Sequence, residues 1–449
     1  TGYITGCIAR RLARGACALK IFQFACAAID ITPSVGIHMG GYWGRRSGAT
    51  HIHDRLMAKA LVCELGAERV VILTVDLVAL GADAVRAIRM AVTRDTGIAG
   101  AAIMICASHT HAGPLTIPYR GMGEIDKSYL ARVEAALVEL VVTATAKMRP
   151  GRLGYARRDV QIGFNRRARR REATGPVISH AHVLRFESDQ GAGATLFQHA
   201  CHPVVLGGDN HQISGDFVGA AVRCVEQMTG EPALFVNGAC GDINPSTTGG
   251  SFEEVEELGS KLGQAVLEGV ADADILATPV LSYVQERVDL PLIDPPTRLR
   301  AEAEKMVLQL KEKLVHEGNI WARRVPAARL EWATAMLALA RTGNGRGRSQ
   351  VFEIQGIGLG EMVLLGMEGE IFARYQLDLE AEWGRVIACG FANGCIGYVP
   401  TADEYPLGGY EVDDAYKVYP SVQMIGPASE ELIRNRTGAL IARLRAGVH

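Results

Sequence analysis

Short apolar runs and amphipathic stretches alternate along this chain. The runs Val70–Asp76, Ala101–Ala107, Ala194–Ala200, Ala233–Val236, Glu361–Gly366 and Val386–Phe391 are rich in aliphatic residues and continuous rather than alternating. That pattern predicts strands covered on both faces. Between them, Leu130, Val133, Leu137, Leu140 and Val141 form a helical stripe that ends before Pro150. Further helices are predicted from about Phe217 to Met228, Glu253 to Leu267, Leu299 to Val315 and Glu430 to Leu444. The mixture predicts an α/β (mixed α+β) fold, with a large mixed sheet and flanking helices. The segment from about 295 to 341 is read as a helical insertion on the outside of a single domain covering residues 1–449.

Polar motifs follow directly on five of the strands. They are Ser108-His109-Thr110-His111, Cys201-His202-Pro203, Asn237 through Pro245, Glu368-Gly369-Glu370, and Ala392-Asn393-Gly394 running on to Tyr398. In open sheets ligands bind beyond the carboxyl ends of strands, so these ends are expected to converge on one cleft. His109, His111 and His202 with Glu370 would suit a catalytic zinc, which takes nitrogen and oxygen ligands and keeps a position open for water. The Gly241–Pro245 turn either serves chain reversal or offers N–H groups to an oxyanion. His51, His53 and Asp54 are read as support rather than as a second metal cluster, with Asp54 and Asp76 expected to orient the ligand histidines. Ser108 and Ser214 are the candidates for a serine hydrolase, but neither sits in a GxSxG elbow.

Composition changes the picture only by exclusion. With 48% hydrophobic and 21% charged residues and a net charge of -2, the 449-residue chain has a globular balance and no global pull toward nucleic acid. No apolar run is long enough to span a bilayer, so no stable membrane insertion is expected. Ten cysteines lie scattered without a CxxC pair, which favours a cytoplasmic over a secreted setting. Residues 1–28 carry Arg10, Arg11 and Arg14 before the apolar stretch Ile21–Ala28; they are read as a ragged leader running into an ordinary strand. The Arg-rich run Arg157–Arg171 is either a solvated loop or a reader of an anionic group.

Taken in order, IDITPSVG, HIHDRL, SHTHAGP, the CHP step, NGACGDINP and GYVPTADEYPLGGYE resemble the catalytic domain of the neutral or alkaline, non-lysosomal ceramidases, over about residues 28 to 425. The resemblance implies a zinc ion held by His109, His202, Glu370 and Tyr410. It implies that His111 polarises the substrate carbonyl or moves a proton, and that Arg166 contacts the reacting group. Tyr416 or Tyr419 would be a further tyrosine at the site. The sequence departs from the family where the GDxSP serine is replaced by Asn244. An asparagine cannot accept an acyl group as serine does, but its N–H can support an oxyanion. A second departure is that the chain stops soon after these motifs, without the immunoglobulin-like domain that follows in true ceramidases. The expectation is a zinc-dependent hydrolase cleaving an amide C–N bond in a polar amide or N-acyl substrate, with esters or lactones also accessible. The alternative is a non-catalytic, ligand-binding descendant. Homo-oligomerisation is left open.

Overall fold

The computed structural model describes residues 21–276, 280–294, 297–342 and 347–446. The leader at residues 1–20 lies outside them, while the apolar stretch that follows forms strand β1, Phe22–Asp30. Three sheets are built by one rule: an antiparallel series that ends in a parallel pair. In the first, β1 pairs antiparallel with β2 (Met57–Leu65), β2 with β3 (Glu68–Val75), and β3 runs parallel to β4 (Ile103–Ala107). In the second, β5 (Arg152–Asp159), β6 (His180–Glu187) and β7 (Gly193–His199) are antiparallel, and β7 runs parallel to β8 (Ala233–Asn237). The third repeats this with β9 (Leu281–Pro291), β10 (Ser349–Leu359) and β11 (Met362–Met367), then β12 (Val386–Cys389) parallel to β11. The expected mixed α/β architecture is present, with its strands divided among these sheets and several two-stranded pieces; among the described residues none closes into a barrel.

Helices cover the sheets, several of them where the sequence stripes predict them; those at Ala82–Thr96 and Ala373–Trp383 were not predicted. Helix α1 (Ala82–Thr96) packs on α2 (Lys127–Thr145), whose buried side is Tyr129, Val133, Leu137, Leu140, Val141 and Ala144. Helix α3 (Asp216–Thr229) packs against α4 (Phe252–Ala271), which lies on the second sheet. A capping box starts α4: the Ser251 side chain accepts from Glu254 N–H while the Glu254 carboxylate accepts from Ser251 N–H. Helices α5 (Thr297–His316) and α6 (Ile320–Thr342) form a hairpin with its own small core of Ala303, Trp332, Ala333, Met336 and Leu337. Helices α7 (Ala373–Trp383) and α8 (Ser429–Ala446) pack on the third sheet. No described helix is long and apolar enough to cross a membrane.

The carboxyl ends of the three parallel pairs are tied together. Ala107 N–H at the end of β4 donates to Phe391 O beyond β12 at 3.2 Å, and Gly390 N–H donates to Asn237 O at the end of β8 at 2.9 Å. The Asn237 side chain then closes the ring, donating to Ser108 O at 3.0 Å and Cys201 O at 3.2 Å. Elsewhere the first and third sheets are pinned by buried Arg89, which donates to Ile103 O, Glu353 and Gln355. Because Asn237 is fully buried, its loss leaves carbonyls without donors. We expect Asn237→Ala to lower unfolding free energy by about 2–4 kcal/mol, measured by urea denaturation.

Candidate metal centre

The tied strand ends deliver His109, His111, His202 and Glu370 to one buried point. His109 follows β4 in a left-handed backbone conformation, φ 70°, a strained choice for a non-glycine residue. Its Nδ1–H donates to Val78 O at 2.7 Å, which leaves the Nε2 lone pair facing inward. His202, after β7, is set the same way: Nδ1–H donates to Cys240 O at 2.6 Å, and Nε2 lies 3.0 Å from Glu370 Oε2. His111 Nε2 lies 3.0 Å from His109 Nε2, and its Nδ1 has no protein partner among the described residues. Gly41 makes room for that ring: at φ 90° a Cβ there would sit 2.3 Å from His111 Cγ. Backbone carbonyls therefore orient His109 and His202, in place of the expected carboxylates. Asp54 instead accepts from Ser214 and faces His53 and Arg223, and Asp76 accepts from Met57 N–H. His53 stacks on Phe252.

Electrostatics keep the imidazoles neutral. Burial lowers His109 to about 4 and His202 to about 3, and pushes His111 well below its usual value. Burial raises the Glu370 carboxyl. Inward lone pairs on His109 and His202 beside a carboxylate oxygen at 3.0 Å need a positive charge or a proton among them. Carbonyl-bonded imidazoles with Nε2 exposed to a common point are the arrangement that metal-ligating histidines adopt. The three imidazoles place their ligating atoms within 4.8 Å of one another, so the donor set fits a divalent cation.

The remaining candidates are distributed unevenly around this point. Arg166 opens a short helix, Arg166–Arg170, and is nearly buried. Its guanidinium donates to Glu411 at 2.8 Å, Asn244 Oδ1 at 2.8 Å, Gly241 O at 2.7 Å and Tyr398 Oη at 3.0 Å. Despite burial, the partners around it, Tyr398 and Glu411 foremost, hold it charged. Gly241 must be glycine here, since a Cβ would fall 2.3 Å from Glu370 O. Tyr410 stands at the rim, 44% exposed, its ring edge-on to Tyr398 with centroids 6.0 Å apart. Tyr416 is turned away toward the helical hairpin, its ring edge-on to Trp332. Tyr419 is the tyrosine that donates to Glu370 Oε1. The Arg-rich run is neither of the two expected things in full: Arg166 and Arg167 are buried and paired with Glu411 and Glu404. Sequence reasoning passed over Glu411, although it lies in the GGYE segment, and over Arg120.

Arg120 holds the loop that carries Tyr419. Its backbone N–H donates to Val418 O, and its guanidinium donates to the carbonyls of Lys417, Tyr419, Pro420 and Ser421 and to Glu331 on α6. A cavity of about 510 Å³, lined by Ile117, Ile125, Leu130 and Ile396 together with Asp83, Glu134 and Glu368, shares no lining residue with the metal-capable cluster.

A buried group of imidazoles and a carboxylate at the strand ends of a mixed α/β fold defines the class, a protein with a metal-capable centre at its sheet ends. The family model described as neutral/alkaline non-lysosomal ceramidase, N-terminal, matches residues 22–261, more than half the chain, and the chain belongs to that family of amide-cleaving hydrolases. Among solved structures, neutral ceramidase from Pseudomonas aeruginosa shares the fold at 20% identity and a TM-score of 0.75, covering 96% of this chain and 75% of that one. A ceramidase complexed with C2 does so at 19% identity and 0.75, covering 96% and 76%. No curated protein matches the chain by sequence.

Supporting contacts of this kind typically govern metal affinity by roughly 10–100-fold. Tyr419→Phe and Arg120→Ala are each expected to weaken divalent-metal retention by about that factor, read by equilibrium dialysis. If Arg120 acts through Tyr419, adding Arg120→Ala to Tyr419→Phe changes retention no further.

Proposed function

We propose that this protein is a zinc-dependent hydrolase that cleaves the C–N bond of an amide. The observation that carries the reading is the pair of carbonyl-locked imidazoles, His109 and His202, whose Nε2 atoms face Glu370 at a buried point. Imidazole nitrogens with one carboxylate suit zinc better than calcium or magnesium, which take oxygen donors. Tyr410, at the rim, is the fourth ligand proposed. A bound zinc supplies Lewis-acid polarisation and lowers the pKa of water.

The chain's own groups divide the remaining work. Arg166 is a donor only, so Asn244 turns its Oδ1 toward it and leaves the Nδ2 hydrogens for the substrate. In this reading Asn244 donates to the carbonyl oxygen as it gains negative charge, and Arg166 fixes both the asparagine and the local positive potential. His111, whose Nε2 lies 3.0 Å from His109 Nε2 and whose Nδ1 has no partner among the described residues, takes the proton released by water and returns it to the departing amine. The sum is amide plus water giving carboxylic acid and amine. Asn244 in place of a serine nucleophile supports direct attack by water and a small or medium polar amide as substrate. An N-acyl lipid is the next choice, and esters or lactones pass through the same tetrahedral geometry.

The test is amine release from a panel of polar N-acyl amides and ceramides by zinc-loaded protein. His109→Ala and His202→Ala are expected to lower kcat/KM by about 1,000-fold or more. Asn244→Ala is expected to lower kcat by about 100-fold with little change in KM. Full activity in the two histidine variants would contradict the reading.

A further inference from the structure

A second group of metal-binding side chains lies on β6 and α7 and shares no residue with the centre described above. His180 and His182 are two apart on an extended strand, so both rings project from the same face. Helix α7 lays Glu380 across them. His180 Nε2 lies 2.9 Å from Glu380 Oε2, and His182 Nε2 lies 3.0 Å from Glu380 Oε1. The rings stand edge to face with centroids 4.9 Å apart, so their Nε2 atoms approach one carboxylate from different directions. Both histidine side chains are 2% exposed and Glu380 is 10% exposed. The ligating atoms of all three lie within 4.8 Å of one another.

We propose that His180, His182 and Glu380 form a second, structural site for a borderline divalent cation of the zinc type, joining the second sheet to α7. Two imidazoles and one carboxylate supply three of the positions such an ion takes, and water fills the side toward half-exposed Arg157. Coordination through Nε2 puts each ring's remaining proton on Nδ1. At His182 that proton is donated to Tyr155 Oη, 2.9 Å away. At His180 it displaces the Arg157 guanidinium, now 2.9 Å from Nδ1, whose side chain is 52% exposed and able to turn to solvent. Gln376 steadies the carboxylate, donating to Glu380 Oε1 at 2.7 Å. The same Gln376 accepts from Ala239 N–H in the loop that leads to Gly241. The ion would therefore brace the helix that directly follows Glu370.

Zinc per folded chain after dialysis tests this without reference to catalysis. Glu380→Gln is expected to hold one zinc fewer than the unmutated protein and to lose the part of the zinc-induced rise in Tm that this site contributes. Arg157→Ala, which removes only the competing cation, should hold as much zinc as the unmutated protein. His182→Gln is made in parallel, with circular dichroism checking that each variant is folded, so that the answer does not hang on one substitution. A chain carrying both His109→Ala and His202→Ala should still hold one zinc. Equal zinc in the unmutated protein and the folded Glu380→Gln and His182→Gln variants would overturn the proposal.

Discussion

The structure depends on a small ring of hydrogen bonds that ties three strand ends together. Ala107, Phe391, Gly390, Asn237 and Ser108 join β4, β12 and β8 through backbone groups and one buried amide. Buried backbone donors and acceptors must find partners, and here the partners come from other sheets. Each sheet ends in a parallel pair, so each sends two chain segments out past the same edge. Once the edges are tied, the segments carrying His109, His202, Gly241 and Glu370 have one place to go.

That convergence also explains the charge distribution. The imidazoles are buried deeply enough to stay neutral, and their tautomers are set by the carbonyls of Val78 and Cys240. A buried guanidinium beside them would be unfavourable alone, but Arg166 is matched by Glu411 and by carbonyl, amide and phenol oxygens. Arg120 does for the Tyr419 loop what Asn237 does for the strand ends: one polar side chain satisfies several carbonyls from distant parts of the chain.

Much of this was legible in the sequence because strand-end chemistry is local. A continuous apolar run followed by Ser108-His109-Thr110-His111 or by Cys201-His202 places the polar residues at a strand's carboxyl end, and there they are. The division of the strands among three sheets was not legible, since partners such as β3 with β4 or β11 with β12 are chosen by long-range packing. Nor were the orienting groups of the histidines: any residue has a carbonyl, so nothing marks Val78 or Cys240, whereas Asp54 and Asp76 drew notice for chemistry they spend elsewhere. The segment from Tyr410 to Tyr419 runs through π and 3-10 turns. Without a regular period, the direction of Tyr416 could not be told from that of Tyr419. His180 and His182 were passed over because their third partner, Glu380, lies on a helix far along the chain.

The most direct measurement is anomalous X-ray scattering at the zinc absorption edge from crystals of the zinc-loaded protein. The account predicts a peak among His109 Nε2, His202 Nε2 and Glu370, within coordinating distance of all three. Diffraction of adequate resolution with these side chains ordered and no anomalous peak among them would contradict it.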